Sequence, residues 1–417
     1  MNQRVVKKII IKKSFIRQFR GYYFIVILVS LFFLNIYDSY KYISLIILMY
    51  FLLTKKFNTI KLLDKNSILL FLFSLSYVSF ALYNKYFILN LSDISILIFP
   101  ILLYISGLVL GKLIKSEINL FKGILYLSII FSFIYLESII HDIANYGMSN
   151  IHRELNVDFS RNSNVLIGAQ IFVMGLCPIL PYFAIYLFAR KGVDRLTLTV
   201  GAIFTLLAVF STLRLASRTP LIILFFQCLF VFLYNVKSFT LYKKAIMSIG
   251  LIIVFYFAYE LNFAQINATA NLYNRISDGS DVLTGGDRLI RWAIGFENIY
   301  NYPLGGEYMN NFKYYHNLWL DTIRIAGVIT FIFLFLFTIG SLIEVKKFMV
   351  NLSNSKQIRS LVGALTLGIM MQFFSEPVIE GNILLFLFYC LFIGLIKRYS
   401  FQRVYSKERY SSFAYIN

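Results

Sequence analysis

Twelve apolar runs divide this chain, near residues 22–37, 42–54, 67–83, 94–111, 118–140, 165–188, 196–213, 220–236, 245–261, 318–343, 360–375 and 382–396. Spans of roughly 20 apolar residues cross a bilayer, and shorter ones are accommodated where helices pack in a bundle. The runs therefore predict an all-α integral membrane protein with about twelve transmembrane helices. Composition agrees: 417 residues that are 59% hydrophobic and only 14% charged exclude an ordinary water-soluble enzyme. The aromatic share of 18%, with 43 Phe, suits a lipid-facing surface and argues against disorder. Cys177, Cys228 and Cys390 each lie inside an apolar run, so no disulfide is expected.

The charges orient the chain. Forty Lys and Arg stand against twenty Asp and Glu, a net charge of +20. The first run follows a basic arm (Arg4, Lys7, Lys8, Lys12, Lys13, Arg17, Arg20) and precedes no small-residue cleavage pattern, so it reads as an anchor, not a signal peptide. With that arm in the cytoplasm and sides alternating, the inner side holds 29 of the 40 basic residues and only five acids, Asp64, Glu117, Asp194, Glu344 and Glu408. That is the positive-inside bias of membrane proteins. The net charge thus orients the protein and implies no nucleic-acid partner. The resulting layout is a basic cytoplasmic arm at 1–21, nine spans over 22–261 with an outer loop at 141–164, a long outer loop at 262–317, three spans over 318–396 and a basic cytoplasmic tail at 397–417. No internal repeat is visible, which counts against the repeat-built transporter folds.

The long outer loop is not low-complexity, and loops of such length that keep order are usually functional. Asp287 is placed to cap a helix at 288–301, in which Leu289, Ala293, Phe296 and Tyr300 form an apolar stripe with Trp292 beside it. Such a helix lies on the membrane surface. Arg288, Arg291, Gly295 and Asn298 fall within about 80° of one another on a different flank, so both arginines can face one site, or else touch lipid phosphates. Pro303-Leu304-Gly305-Gly306 then signals a turn back toward the membrane, and Tyr314-Tyr315-His316-Asn317 opens the tenth span. His316 is either a hydrogen-bonding interfacial group or a catalyst. The other histidines, His141 and His152, lack metal-ligand spacing with it, and Asp278, Asp281 and Asp287 lack calcium-loop spacing, so no metal is expected. Asp321 and Arg324, three residues apart, can neutralise each other, but ionisable groups at membrane depth default to functional suspicion.

A second outer cluster, Arg214-Leu215-Ala216-Ser217-Arg218-Thr219-Pro220, joins the seventh and eighth spans. With Thr219 as cap and Pro220 in the first turn, Arg218 sits where a helix N-terminus already favours an anion such as phosphate. The alternative is that both arginines only mark the interface.

Three stretches resemble the bacterial O-antigen polymerase and O-antigen ligase superfamily of polytopic glycosyltransferases: Ser217-Arg218-Thr219, then Gly286-Asp287-Arg288-Leu289 with Pro303-Leu304-Gly305-Gly306, then His316-Asn317 followed by Gly327-Val328-Ile329-Thr330. The last is similar to a histidine signature of the ligase branch. The layout of spans, cytoplasmic termini and late outer loop is similar throughout. The resemblance implies a multi-pass protein of the bacterial inner membrane with a GT-C-like fold and a periplasmic site. It implies glycosyl transfer from undecaprenyl-diphosphate-linked oligosaccharides, without cofactor or metal. Arg218 and Arg288, supported by Arg214 and Arg291, would bind the donor diphosphate, and His316 would act as acid–base or acceptor-positioning group. Asn317, Asp321, Arg324 and Arg275 are supporting candidates, the last because Arg275 and Gly286 fit an Arg-x10-Gly pattern. The implied partners are lipid-linked donor and acceptor, membrane lipids, a chain-length regulator and a flippase. Polymerase, ligase and flippase readings all stay open, and the short run from Arg288 to His316 favours the polymerase.

Overall fold

The computed structural model describes residues 24–36, 39–53, 63–84, 91–147, 154–156, 166–190, 192–215, 217–242, 245, 288–306, 314–351 and 354–414. The basic arm 1–21, nearly all of the ninth span 245–261, and 262–287 with Arg275, Asp278, Asp281, Gly286 and Asp287 lie outside them, as does His152.

Among the described residues the chain is mostly helical. Helices α1 (Phe24–Leu34) and α2 (Tyr40–Leu53) are short and apolar. They are followed by α3 (Lys65–Tyr83), α4 (Leu91–Leu113) and α5 (Glu117–Tyr146), then the strands β1 (Glu154–Asn156) and β2 (Leu166–Gly168). The sixth apolar run becomes α6 (Ala169–Leu176) and α7 (Pro181–Phe188), divided by a 3-10 turn at Cys177–Ile179. Pro178 and Pro181 explain the division, since neither ring can donate to the helix ladder. Next come α8 (Arg195–Arg214), α9 (Thr219–Asn235), α10 (Arg288–Asn298), α11 (Leu318–Val350), α12 (Lys356–Ser375) and α13 (Val378–Ala414). Eight described segments are long and apolar enough to cross a membrane, and α1, α2 and α9 are shorter apolar helices.

The structure adds detail to the expected layout. The segment 141–164 is not all loop: α5 continues to Tyr146, and β1 pairs antiparallel with β2 through Glu154 and Gly168. That pair is also a small departure from an all-α fold. The tail from 397 does not leave the last span at once, because α13 runs on to Ala414.

The span ends are built from short polar side chains. Asp64, Ser116, Asp194, Asn317 and Ser355 each accept an amide proton from the first turn of α3, α5, α8, α11 and α12, which satisfies donors that a helix leaves open. Asp194, bonded by the Thr197 hydroxyl, has its carboxyl held down at about 2. At the centre, α4 and α13 touch backbone to backbone. A Cβ on Gly107 would lie 2.1 Å from the Leu391 carbonyl oxygen, and one on Gly111 would lie 2.4 Å from that of Leu395. Small residues four apart are what let helices approach so closely in lipid.

The polar contacts gather at the two ends of the bundle. At one end Lys397 pairs with Asp64 at 2.9 Å, Lys122 with Asp194 at 3.1 Å, and Glu117 accepts from the Ser355 amide at 3.0 Å. At the other, Arg214 pairs with Asp142 and Arg288 with Glu376.

Candidate functional site

The site forms where α10, the start of α11, the end of α12 and the start of α13 meet. Helix α10 turns inward the flank that carries Arg288, Arg291, Trp292 and Gly295, while Leu289, Ile290, Phe296 and Tyr300 stay exposed. Gly295 is the helix's buried residue because the Tyr315 ring lies against it, 3.3 Å from where a Cβ would stand. The Trp292 indole donates to the Tyr315 carbonyl at 2.9 Å, and Arg291 donates to the Tyr314 carbonyl at 3.2 Å. Arg291 and Trp292 thus hold the segment that carries His316. The helix ends at Asn298, three residues before the expected boundary, in a turn closed by the Asn301 and Tyr302 amides donating to the Asn298 carbonyl.

His316 has φ of +55°, in the left-handed region. A residue with a Cβ pays roughly 1–2 kcal/mol to stay there. Asp321 supplies the compensation: its carboxylate accepts from the Tyr315 amide at 2.7 Å and from the Asn317 amide at 3.1 Å, on either side of the histidine. Asn317 caps α11 through the Trp319 and Leu320 amides, at 3.1 and 3.2 Å. Both supporting candidates therefore act on His316 by fixing its backbone.

Glu376 is the residue on which the others converge. Arg288 donates to its Oε1 at 3.1 Å, and His316 Nδ1 lies 3.7 Å from its Oε2. The carboxylate is nearly enclosed, at 3% exposure, whereas Arg288 remains 33% exposed. Four residues on, Glu380 takes Arg324, which also keeps Asp321 at 3.7 Å. The expected Asp321–Arg324 pair is thus real but secondary. Glu376 and Glu380 were missed because neither belongs to a motif. Their spacing of four across Pro377, in a short turn between two apolar runs, was the available signal.

The other arginines divide. Arg214 is fully buried and paired with Asp142. Arg218 itself occupies the N-cap of α9, with Thr219 the first helical residue, so the expected Thr219 cap is corrected; Pro220 stands one place further in. Helix α9 runs antiparallel to α12: Asn235 donates to Ser360, Gln227 donates to Ala364, and both Gln227 and Ile223 lie against Gly368. Continuing that register brings the Arg218 end of α9 beside the last turn of α12, near Phe373.

Helix α11 breaks at Gly327, where φ is +76°. The stretch 328–350 beyond the break has 23 residues, about 35 Å at 1.5 Å per residue, and spans a bilayer unaided. Asp321 and Arg324 lie in the half-helix before the break. Among the described residues no three His, Cys, Asp or Glu side chains converge as metal ligands. No protein-family model matches this chain, and no curated protein does either.

Proposed function

We propose that this chain is a glycosyltransferase of the bacterial inner membrane that joins undecaprenyl-diphosphate-linked oligosaccharide units at the periplasmic face, as a surface-polysaccharide polymerase. The convergence of Arg288 and His316 on Glu376, at the bundle end opposite the basic loops, carries this reading. A leaving diphosphate gains negative charge, and arginines fixed in a partly dehydrated cleft stabilise it. Arg288 and Arg218 are the donor-binding pair, while Arg214 is committed to Asp142.

The chemistry follows from the orientation of the imidazole. Nδ1 faces Glu376, which leaves Nε2 to receive a proton. The acceptor hydroxyl oxygen bonds to the anomeric carbon as the bond from that carbon to the diphosphate oxygen breaks. The hydroxyl proton passes to His316, and the polyprenyl diphosphate departs with the electron pair against the arginines. A donor diphosphate competes with Glu376 for Arg288, and the displaced carboxylate is then free to support the imidazolium. A flippase reading is weaker, because transporters hold their key charges near the midplane of broken helices, whereas here the charges lie in the half-helix before the break.

Purified protein given only lipid-linked repeat units should make a ladder of longer lipid-linked glycans. Arg288→Ala and Arg288→Lys should both suppress it, since a point charge does not replace a bidentate fork. Glu376→Gln should tighten donor binding while slowing turnover. No ladder from active donor would overturn the polymerase reading, and a deletion strain with bare core and stranded full-length polymer would replace it with the ligase.

A further inference from the structure

The break in α11 leaves backbone groups that find partners elsewhere. Val328 N–H, which in an unbroken helix would donate to the Arg324 carbonyl, donates instead to the Pro303 carbonyl at 2.9 Å. The Arg324 carbonyl, thus released, accepts from the Gly306 amide at 3.0 Å. The turn 303–306 therefore sits inside the helix break. It fits only because Gly305 and Gly327 lack side chains: a Cβ on either would come within 2.5 Å of a carbonyl oxygen, of Ile325 and Pro303 respectively.

Two carbonyls at this junction are served from a third element. Asn84, the residue that ends α3, donates through its single amide nitrogen to Leu304 at 2.9 Å and to Ile325 at 2.9 Å. One acceptor belongs to the outer loop just after α10, and the other to the half-helix that carries Asp321 and Arg324. Both N–H bonds of one amide are used, which aspartate cannot imitate and serine can match only in half.

We infer that Asn84 is a positioning residue that locks the outer loop into the break of α11 and so sets Arg288 against the His316 segment. It acts through the relative placement of α10, which precedes the clamped turn by a few residues, and the half-helix 318–326. For its activity readout the inference rests on the transferase reading above; its structural readout does not.

The test uses the full-length protein in detergent, comparing Asn84→Asp, which keeps the shape and removes both donors, with Asn84→Ala, which adds no charge. Amide exchange at Gly306 and Val328 should rise about ten-fold or more in both variants, as expected for lost buried hydrogen bonds, with exchange in α12 unchanged. Turnover of lipid-linked units should fall about ten-fold or more at a KM within about two-fold of the parent, because alignment is lost while the binding groups remain. Unchanged exchange in both variants would overturn the clamp. Raised exchange with parental turnover would overturn its positioning role. Parental turnover in Arg288→Ala and His316→Ala would overturn the transferase reading alone, since the exchange result stands independently of it.

Discussion

Asp321 holds His316 in a left-handed backbone conformation by accepting the amide protons on both sides of it, from Tyr315 at 2.7 Å and Asn317 at 3.1 Å. A helix residue five positions downstream thus fixes the orientation of the proposed acid–base group. Strain of this kind persists only where the surroundings over-determine it, and it concentrates at functional sites.

Replacing Asp321 with alanine should destabilise the protein by on the order of 3 kcal/mol, because two buried amides lose their acceptor. Asp321→Asn keeps one acceptor oxygen and should cost about half as much. Denaturant melts of the purified variants would measure both. A melt of Asp321→Ala coincident with the parent would show that the carboxylate does not restrain the loop.

His316 separates backbone from side chain. His316→Ala and His316→Gly should each lower glycan transfer on the order of 10²-fold, through loss of proton transfer. Glycine should nevertheless be more stable than alanine by about 1 kcal/mol, since it enters the left-handed region without a Cβ penalty. Equal melting temperatures for the two would remove the strain from the account. Full transfer by His316→Ala would remove the proton-transfer role.

Arg214 and Asp142 form a buried pair, and removing one partner of such a pair costs about 3–5 kcal/mol by stranding the other charge. Arg214→Leu and Asp142→Leu should each lower protein level sharply. The double variant should recover it, with glycan assembly restored. A stable but inactive double variant would give Arg214 the donor-binding role that its burial argues against.

Threading predicts that Tyr300 and Tyr242, 90% and 74% exposed, face opposite sides of the membrane. Cysteines placed at these positions should react with an impermeant thiol reagent from the periplasmic and cytoplasmic faces respectively. Reaction of both from one face would break the alternation, and with it the assignment of the site to the outer side.

Much of the architecture was legible before any coordinates, for a physical reason. Backbone groups in hydrocarbon must be satisfied within their own segment, so each long apolar run is committed to a helix by its own residues, and the bias of Lys and Arg orders the loops. The inward flank of α10 was likewise local, since Arg288, Arg291 and Gly295 share it through helical period alone. The backbone contact between α4 and α13 was half visible, because Gly107 and Gly111 are spaced for close approach while nothing in the sequence names Leu391 and Leu395 as the partners. Which charges meet was decided only by tertiary structure. Glu376 lies 60 residues from His316 and 88 from Arg288, Glu380 takes Arg324 from another helix, and Asn84 reaches a turn 220 residues away. Such pairings depend on the lateral packing of helices that look alike to a hydropathy scale. Hydrophobicity commits each segment to the membrane, but it carries no directional term that selects a neighbour, and that selection came from close packing and from hydrogen bonds left open by the break at Gly327.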